Sequence, residues 1–182
     1  MDLDAARALA LQLMEQHITA KPPNSLYAGL APHKCWTFRF DNAKRRFGRC
    51  QYTLGQISLS KPLTLLNNEA HVRDTILHEI AHANVGYDAA HGPKWRAEAL
   101  RLGCDGNTCF DSEKVVAPRS PWMGYCPGCK RKFRRYQRPP ASPRSCGRCA
   151  PRRYDPRFQL QWARTIITDP EAYALEQQEA QS

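Results

Sequence analysis

Apolar positions recur at helical spacing from residue 3 to residue 18. Leu3, Ala6, Leu9, Ala10, Leu13 and Met14, with His17, fall on one face of a 3.6-residue repeat. Lys21-Pro-Pro-Asn24 ends that helix, because proline cannot continue one. From Cys35 to Phe40 large and polar residues alternate, which predicts a strand, and Asp41 to Arg46 is the turn after it. Two more short strands are expected at 48–52 and 56–60, around Gly55. Asn67 or Asn68 can cap a helix running from Glu69 to about Val85, where Gly86 is a natural stop. A further helix is expected from Pro93 to Leu102, with proline at its first position and Gly103 after its end. Mixed short strands and helices of this kind predict an α+β fold.

Charge changes this picture. The 182-residue chain carries a formal +10. Residues 114–164 hold 14 Lys and Arg against the single acid Asp155, which is +13. Residues 1–113 contribute 13 basic and 12 acidic residues, +1, and the segment from 165 contributes four acids, −4, so +1 +13 −4 restores +10. The positive charge therefore belongs to one segment, which also holds the proline-rich Arg138-Pro-Pro-Ala-Ser-Pro143. A boundary is placed near 112–121. Three parts follow: 1–113 as the larger domain, 114–164 as a basic module, and 165–182 as an acidic tail with a short helix. No internal repeat is seen. No apolar run is long enough to span a membrane. The N-terminus has acids where a secretory signal has basic residues, so a soluble cytoplasmic protein is expected, nucleoid-associated in a bacterium. A monomer is assumed.

The predicted helix at 69–85 carries the first chemistry. His78 and His82 are four apart and share one face, with Glu79 beside them. In an H-E-x-x-H arrangement the two imidazoles bind zinc and the glutamate serves as general base. Zinc lowers the pKa of its water to about 7, and Glu79 would take that proton and pass it to the leaving amine. A catalytic zinc needs a third protein ligand and an open position. His91 is the first choice, since Gly86 ends the helix and Gly92-Pro93 fixes a bend just after it. Glu98 is the rival. Asp88 stands at the spacing another H-E-x-x-H group uses, but with the glycine displaced by one residue. The bland alternative is an ordinary helix with a solvated Glu79. Apolar Ile76, Leu77, Ile80, Ala81, Ala83 and Val85 make the helix half buried, which suits a ligand helix under a cleft. Tyr87 and the backbone of an edge strand are candidates to stabilise an oxyanion.

Cysteines supply the second site. Cys126-Pro-Gly-Cys129 and Cys146-Gly-Arg-Cys149 are separated by 16 residues, a spacing used by four-cysteine zinc sites. Four thiolates leave no open position, so this metal would be structural. Cys35, Cys50, Cys104 and Cys109 are singly placed and read as free thiols. The run Lys130, Arg131, Lys132, Arg134, Arg135 and Arg138 is interleaved with Phe133 and Tyr136. Cations neutralise phosphates and aromatics stack on exposed bases, so this run is the candidate DNA contact, with single-stranded or disrupted duplex DNA favoured. Trp36, Phe38 and Phe40 could add a stacking surface, though such a strand face is more often core.

Residues 78–96, "HEIAHANVGYDAAHGPKWR", resemble the active-site stretch of SprT-like metalloproteases, the group that includes the DNA–protein crosslink protease Spartan. Their pattern is H-E-x-x-H, a spacer, then H-G-x-x-aromatic, matched here by His78, Glu79, His82, His91, Gly92 and Trp95. Residues 46–63, "RFGRCQYTLGQISLSKPL", resemble the family's strands before the ligand helix. The paired cysteines resemble the zinc ribbon closing many bacterial and archaeal members. The likeness spans about residues 5–155. It implies a zincin-like protease domain followed by a small β zinc ribbon, and two zinc ions: one catalytic on His78, His82 and His91 with Glu79 as base, one structural on the cysteines. It also implies DNA-stimulated cleavage of proteins bound or crosslinked to DNA, in DNA repair. Nothing here resembles the long C-terminal partner-binding motifs of the animal enzymes, so recruitment by ubiquitin or a replication clamp is not implied. The alternative is a non-catalytic nucleic-acid-binding zinc protein with a structural histidine site. Glu79 argues against it, because a structural site has no need of that carboxylate. A third reading is a peptidase of soluble peptides that binds RNA through the ribbon.

Overall fold

The computed structural model describes residues 1–23, 29–108 and 115–165. They form two compact units, Met1–Pro118 and the part beginning at Arg119.

In the first unit, helix α1 spans Leu3–His17. Asp2 caps it by accepting from the N–H groups of Asp4 and Ala5, both at 3.0 Å. Its Ala6, Ala10, Leu13 and Met14 are buried, as the sequence periodicity predicts. The strand expected from Cys35 begins later. Pro32 opens a 3-10 turn through Cys35, and β1 spans Thr37–Asp41. Trp36 is pinned between the two, its indole N–H donating to the Ala20 carbonyl at 2.9 Å. Trp36 and Phe38 are core residues, and Phe40 packs against that core under the Arg7 guanidinium. They form no stacking surface, because burial claims the inward face of β1.

β2 spans Gly48–Gln51 and β3 spans Gln56–Ser60. The sheet order is β1-β3-β2, with β1 parallel and β2 antiparallel to β3. β3 is central and buried on both faces. On its polar face Ser58 donates to Asp41 and Ser60 donates to the Ala43 carbonyl. The Ser60 hydroxyl also accepts from the Leu63 N–H and starts a helix absent from the sequence reading, α2 at Lys61–Leu66. Six residues are too few for a 3.6-residue period to show. α3 spans Glu69–Val85, capped by Asn68, and α4 spans Pro93–Leu102. α3 packs between α1, β2 and α4, so residues all round it are buried: Val72, Ile76, Leu77, Glu79, Ile80, Ala81 and Ala83. Asn67 exchanges hydrogen bonds with both backbone groups of Val116, tying that segment to the unit.

In the second unit β4 spans Trp122–Tyr125, β5 Lys132–Arg135 and β6 Gln161–Arg164. They form an antiparallel sheet in the order β5-β4-β6. β4 and β5 flank the first cysteine pair, as the sequence suggests. β6 is not visible in the sequence, since four residues with one large apolar side chain give no alternation. The tail helix and Cys109 lie outside the described residues. Among the described residues no helix is long and apolar enough to cross a membrane.

Candidate active site and metal centres

Helical periodicity places His78 and His82 on one face of α3. The chain must then reverse to bring His91 to them. Gly86 ends α3, a 3-10 turn covers Tyr87–Ala89, and Ala90 takes φ +41° and ψ −125° just before His91. That conformation is rare for a residue with a Cβ and costs on the order of 1–3 kcal/mol. The result is convergence. His91 Nε2 lies 3.1 Å from Nε2 of His78 and 3.0 Å from Nε2 of His82. The buried Trp95 of α4 forms the floor, with its ring centroid 4.6, 5.3 and 4.7 Å from those of His78, His82 and His91.

Two sequence alternatives for the third ligand are placed elsewhere. Glu98 accepts from Asn84 and from two nitrogens of Arg101, each at 2.7 Å. Arg101, chiefly, holds its carboxyl below the usual range. Asp88 lines the cleft but is not grouped with the histidines.

Glu79 points off the same turn into the protein and is 7 % exposed. Burial pushes its carboxyl up to about 8, opposed by a hydrogen bond from the Cys50 N–H and by the charge of Arg46. β2 builds its seat. A Cβ on Gly48 would lie 2.6 Å from Oε1 and 2.8 Å from Cγ of Glu79, and 2.8 Å from Cγ2 of Thr75. Only glycine fits. Gly48→Ala should displace the carboxylate, and a misplacement of about 1 Å can cost about 10²-fold in rate. A fall in kcat of that order, with metal content unchanged, is the expected result in a steady-state assay. Wild-type kcat in Gly48→Ala would show that the seat does not set the carboxylate.

The histidines and Glu79 open on a cleft of about 760 Å³, also lined by Arg45, Arg49, Tyr52, Tyr87 and Asp105. Tyr87 is 76 % exposed and meets Tyr52 edge-on at 5.7 Å. Burial drives the Tyr52 hydroxyl well above its ordinary range. Burial likewise lowers His78 to about 4 and His82 to about 3, helped by the neighbouring imidazoles.

In the second unit all four cysteine sulfurs lie within 4.8 Å of one another. Lys130 at φ +61° closes the first knuckle, its N–H donating to the Cys126 carbonyl at 3.0 Å. The Cys149 and Ala150 N–H groups close the second on the Cys146 carbonyl. The basic run does not form one surface. Opposed residues of an antiparallel ladder share a face, so Phe133 and Arg135 share one with Trp122, Trp162 and Arg164. Lys132 and Arg134 share the other with Met123 and Tyr125. Lys130 and Arg131 lie in the knuckle and Arg138 in the loop after β5. Trp122, Trp162 and Arg164 were missed in the sequence because only strand register joins them to Phe133.

A model of the SprT-like family matches residues 12–114, more than half of the chain. The chain belongs to the SprT-like family. No curated protein and no solved structure matches it. The residues of this SprT-like chain fit the metals its family implies. Nε2 of His91, 3.1 and 3.0 Å from those of His78 and His82, cannot satisfy both, because it has at most one proton for two partners. One cation satisfies all three lone pairs. Tetrahedral zinc at about 2.05 Å from nitrogen would set them about 3.3 Å apart, only slightly wider. The sulfur pairs Cys126–Cys149 and Cys129–Cys146 stand at 3.8 and 3.7 Å. A disulfide would need about 2.05 Å, whereas four thiolates at about 2.3 Å from zinc stand about 3.8 Å apart.

Proposed function

We propose that this SprT-like chain is a DNA-dependent zinc endopeptidase that cleaves proteins bound or crosslinked to DNA. The observation that carries the proposal is a buried carboxylate, Glu79, one residue from His78 in a three-histidine cluster that opens on a cleft. His78, His82 and His91 would hold the catalytic zinc, and the four cysteines a structural one. The chemistry zinc supplies there is Lewis acidity, which polarises a carbonyl and acidifies water. Glu79 receives the proton from water and delivers it to the departing amine. Its seat between Gly48 and the Cys50 N–H orients the carboxylate, and its burial excludes bulk water that would compete for the proton. Trp95 packs against all three imidazoles and restrains their ring planes.

DNA dependence is supported by the second unit. Trp122, Phe133 and Trp162 on one sheet face, none of them buried, are flanked by Arg135 and Arg164. Arg135 lies 5.8 Å from the Trp162 ring. Aromatic faces stack on unpaired bases for about 1–3 kcal/mol each, and guanidinium groups take the phosphates. Holding DNA and cleft on one chain raises the local concentration of DNA-bound substrate.

The test is proteolysis of a DNA-binding protein by the zinc-loaded chain, alone and with single-stranded DNA, duplex DNA or RNA. Cleavage stimulated most by single-stranded DNA is expected. Equal cleavage without nucleic acid would reduce the reading to a plain peptidase, and stimulation by RNA alone would move it to an RNA-linked one.

A further inference from the structure

The cations of the first unit are not spread evenly. Residues 39–49 hold Arg39, Lys44, Arg45, Arg46 and Arg49 against Asp41 alone, which is +4. Residues 1–113 as a whole are +1, so the rest of that stretch is −3 (1 minus 4). The fold gathers the excess. Side chains alternate along a strand, and Phe38 of β1 with Gly48 and Cys50 of β2 takes the inward face. Arg39 and Arg49 therefore take the outward one. Strand register aligns them, since both pair with Ser58 of the central strand, Arg39 from one side and Arg49 from the other. Two strand spacings separate them, about 10 Å. Arg45 stands in the turn before β2. With Arg49 it lines the cleft that holds Glu79 and the three histidines.

The acid on this face is already engaged. Asp41 accepts from Arg46, from the Ser58 hydroxyl and from the Ala43 N–H, each at 2.9 Å. Arg46 also donates to the Gly48 carbonyl at 3.2 Å. Arg39, Arg45 and Arg49 are exposed, and among the described residues none of them has an acidic partner. The other aspartates of the cleft, Asp74, Asp88 and Asp105, belong to α3 and to the loops after α3 and α4. Charge in the cleft is thus divided by element, with cations from β2 and its turn and anions from α3 onward.

We infer that Arg39, Arg45 and Arg49 form a phosphate-binding rim on the first unit, which holds the backbone of a nucleic acid beside the cleft. The inference rests on the reading that the substrate is a protein lying on DNA, and it adds a DNA contact outside the ribbon. Guanidinium groups take phosphate oxygens in pairs. A peptide with acidic side chains is the competing occupant, and Arg39 argues against it. Arg39 does not line the cleft, whereas a peptide subsite needs only residues that do. A polyanion crossing the sheet uses all three. The outward face carries no aromatic side chain at its paired positions, where Thr37, Gln51 and Gln56 stand beside the arginines. Bases have nothing there to stack on, so the rim does not distinguish single strands from duplex. Three contacts are too few to retain DNA against salt. Retention stays with the ribbon, and the rim sets where the backbone lies.

The experiment is the salt dependence of DNA binding by the full zinc-loaded chain, followed by fluorescence anisotropy with a labelled oligonucleotide, single-stranded and duplex. Arg39→Gln, Arg45→Gln and Arg49→Gln combined should flatten the slope of log K against log salt by about 2 for the single strand, at about 0.7 per phosphate contact. The duplex slope should flatten by about 2.7, at about 0.9 per contact. Arg39→Lys, Arg45→Lys and Arg49→Lys combined keep the charge and should keep the wild-type slope. Zinc content and melting temperature should match wild type in both variants, because all three side chains are exposed. Stimulation of proteolysis by either DNA should fall in the glutamine variant. An unchanged slope in that variant would overturn the rim and leave DNA-dependent cleavage standing. An unchanged slope with weaker cleavage of an acidic peptide would also overturn it and assign the arginines to peptide selection. A flattened slope in a chain that cleaves nothing would keep the rim and remove the endopeptidase reading.

Discussion

Glu79→Gln is expected to lower proteolysis by about 10²–10⁴-fold, the contribution typical of a positioned general base, with both metals still bound. The substitution isolates one property. Glutamine has the volume of glutamate, so it fills the seat that Gly48 leaves open. Its amide oxygen can still accept from the Cys50 N–H, the hydrogen bond Glu79 makes. It cannot take a proton from water. His78, His82 and His91 are untouched, so metal content by elemental analysis should equal wild type, as should retention on DNA. The comparison must be made on kcat, because a group acting only in the chemical step leaves ground-state binding alone. Wild-type kcat in Glu79→Gln would remove the carboxylate from the mechanism. Lost metal would instead make Glu79 a structural prop of the histidine cluster. Gly48→Ala completes the argument from the other side, since it keeps the carboxylate and moves it.

Much of this site is legible in the sequence, because one helix carries it. Four-residue spacing puts His78 and His82 on one face with no knowledge of the fold. The third ligand is less secure at that level. His91 and Glu98 are both within reach by chain length, and only the structure shows Glu98 committed to Asn84 and Arg101. What is not legible comes from elements distant in sequence. The Glu79 seat is made by a strand 31 residues earlier in number (79 minus 48), and a glycine in a short strand reads as a weakness rather than a seat. The loop at Asp105 likewise returns to α3, where its N–H donates to Asp74. In the basic segment the sequence groups Lys130 to Arg138 as one run. A strand sends alternate residues to opposite faces, so Arg135 and Arg134 part company, and Phe133 acquires Trp122 and Trp162 as neighbours. The fold of the first unit shows the same division. α1, α3 and α4 announce themselves by period and caps, whereas α2 and β6 are too short to do so.

Removing the metal from the four cysteines should unfold the second unit alone. Among the described residues from Arg119 onward, the buried apolar side chains are Cys126 and Cys146 themselves. Three four-residue strands without an apolar core cannot offset the entropy of ordering their chain. Structural zinc contributes about 10–16 kcal/mol in zinc-finger peptides, which is comparable to the whole stability of an ordinary domain. Cys146→Ser takes away a fully buried ligand. It should release one metal, make residues 121–164 sensitive to proteases and abolish retention on single-stranded DNA. The histidine site should keep its metal, since the first unit has its own core around Ile57, Ile76 and Ile80. A second unit that stays protected without metal would have to be held by Trp122, Phe133 and Trp162 packing on one another. Those rings would then be its core, and unpaired bases would have no aromatic face left to stack on. The protection experiment therefore bears on DNA binding as directly as on folding.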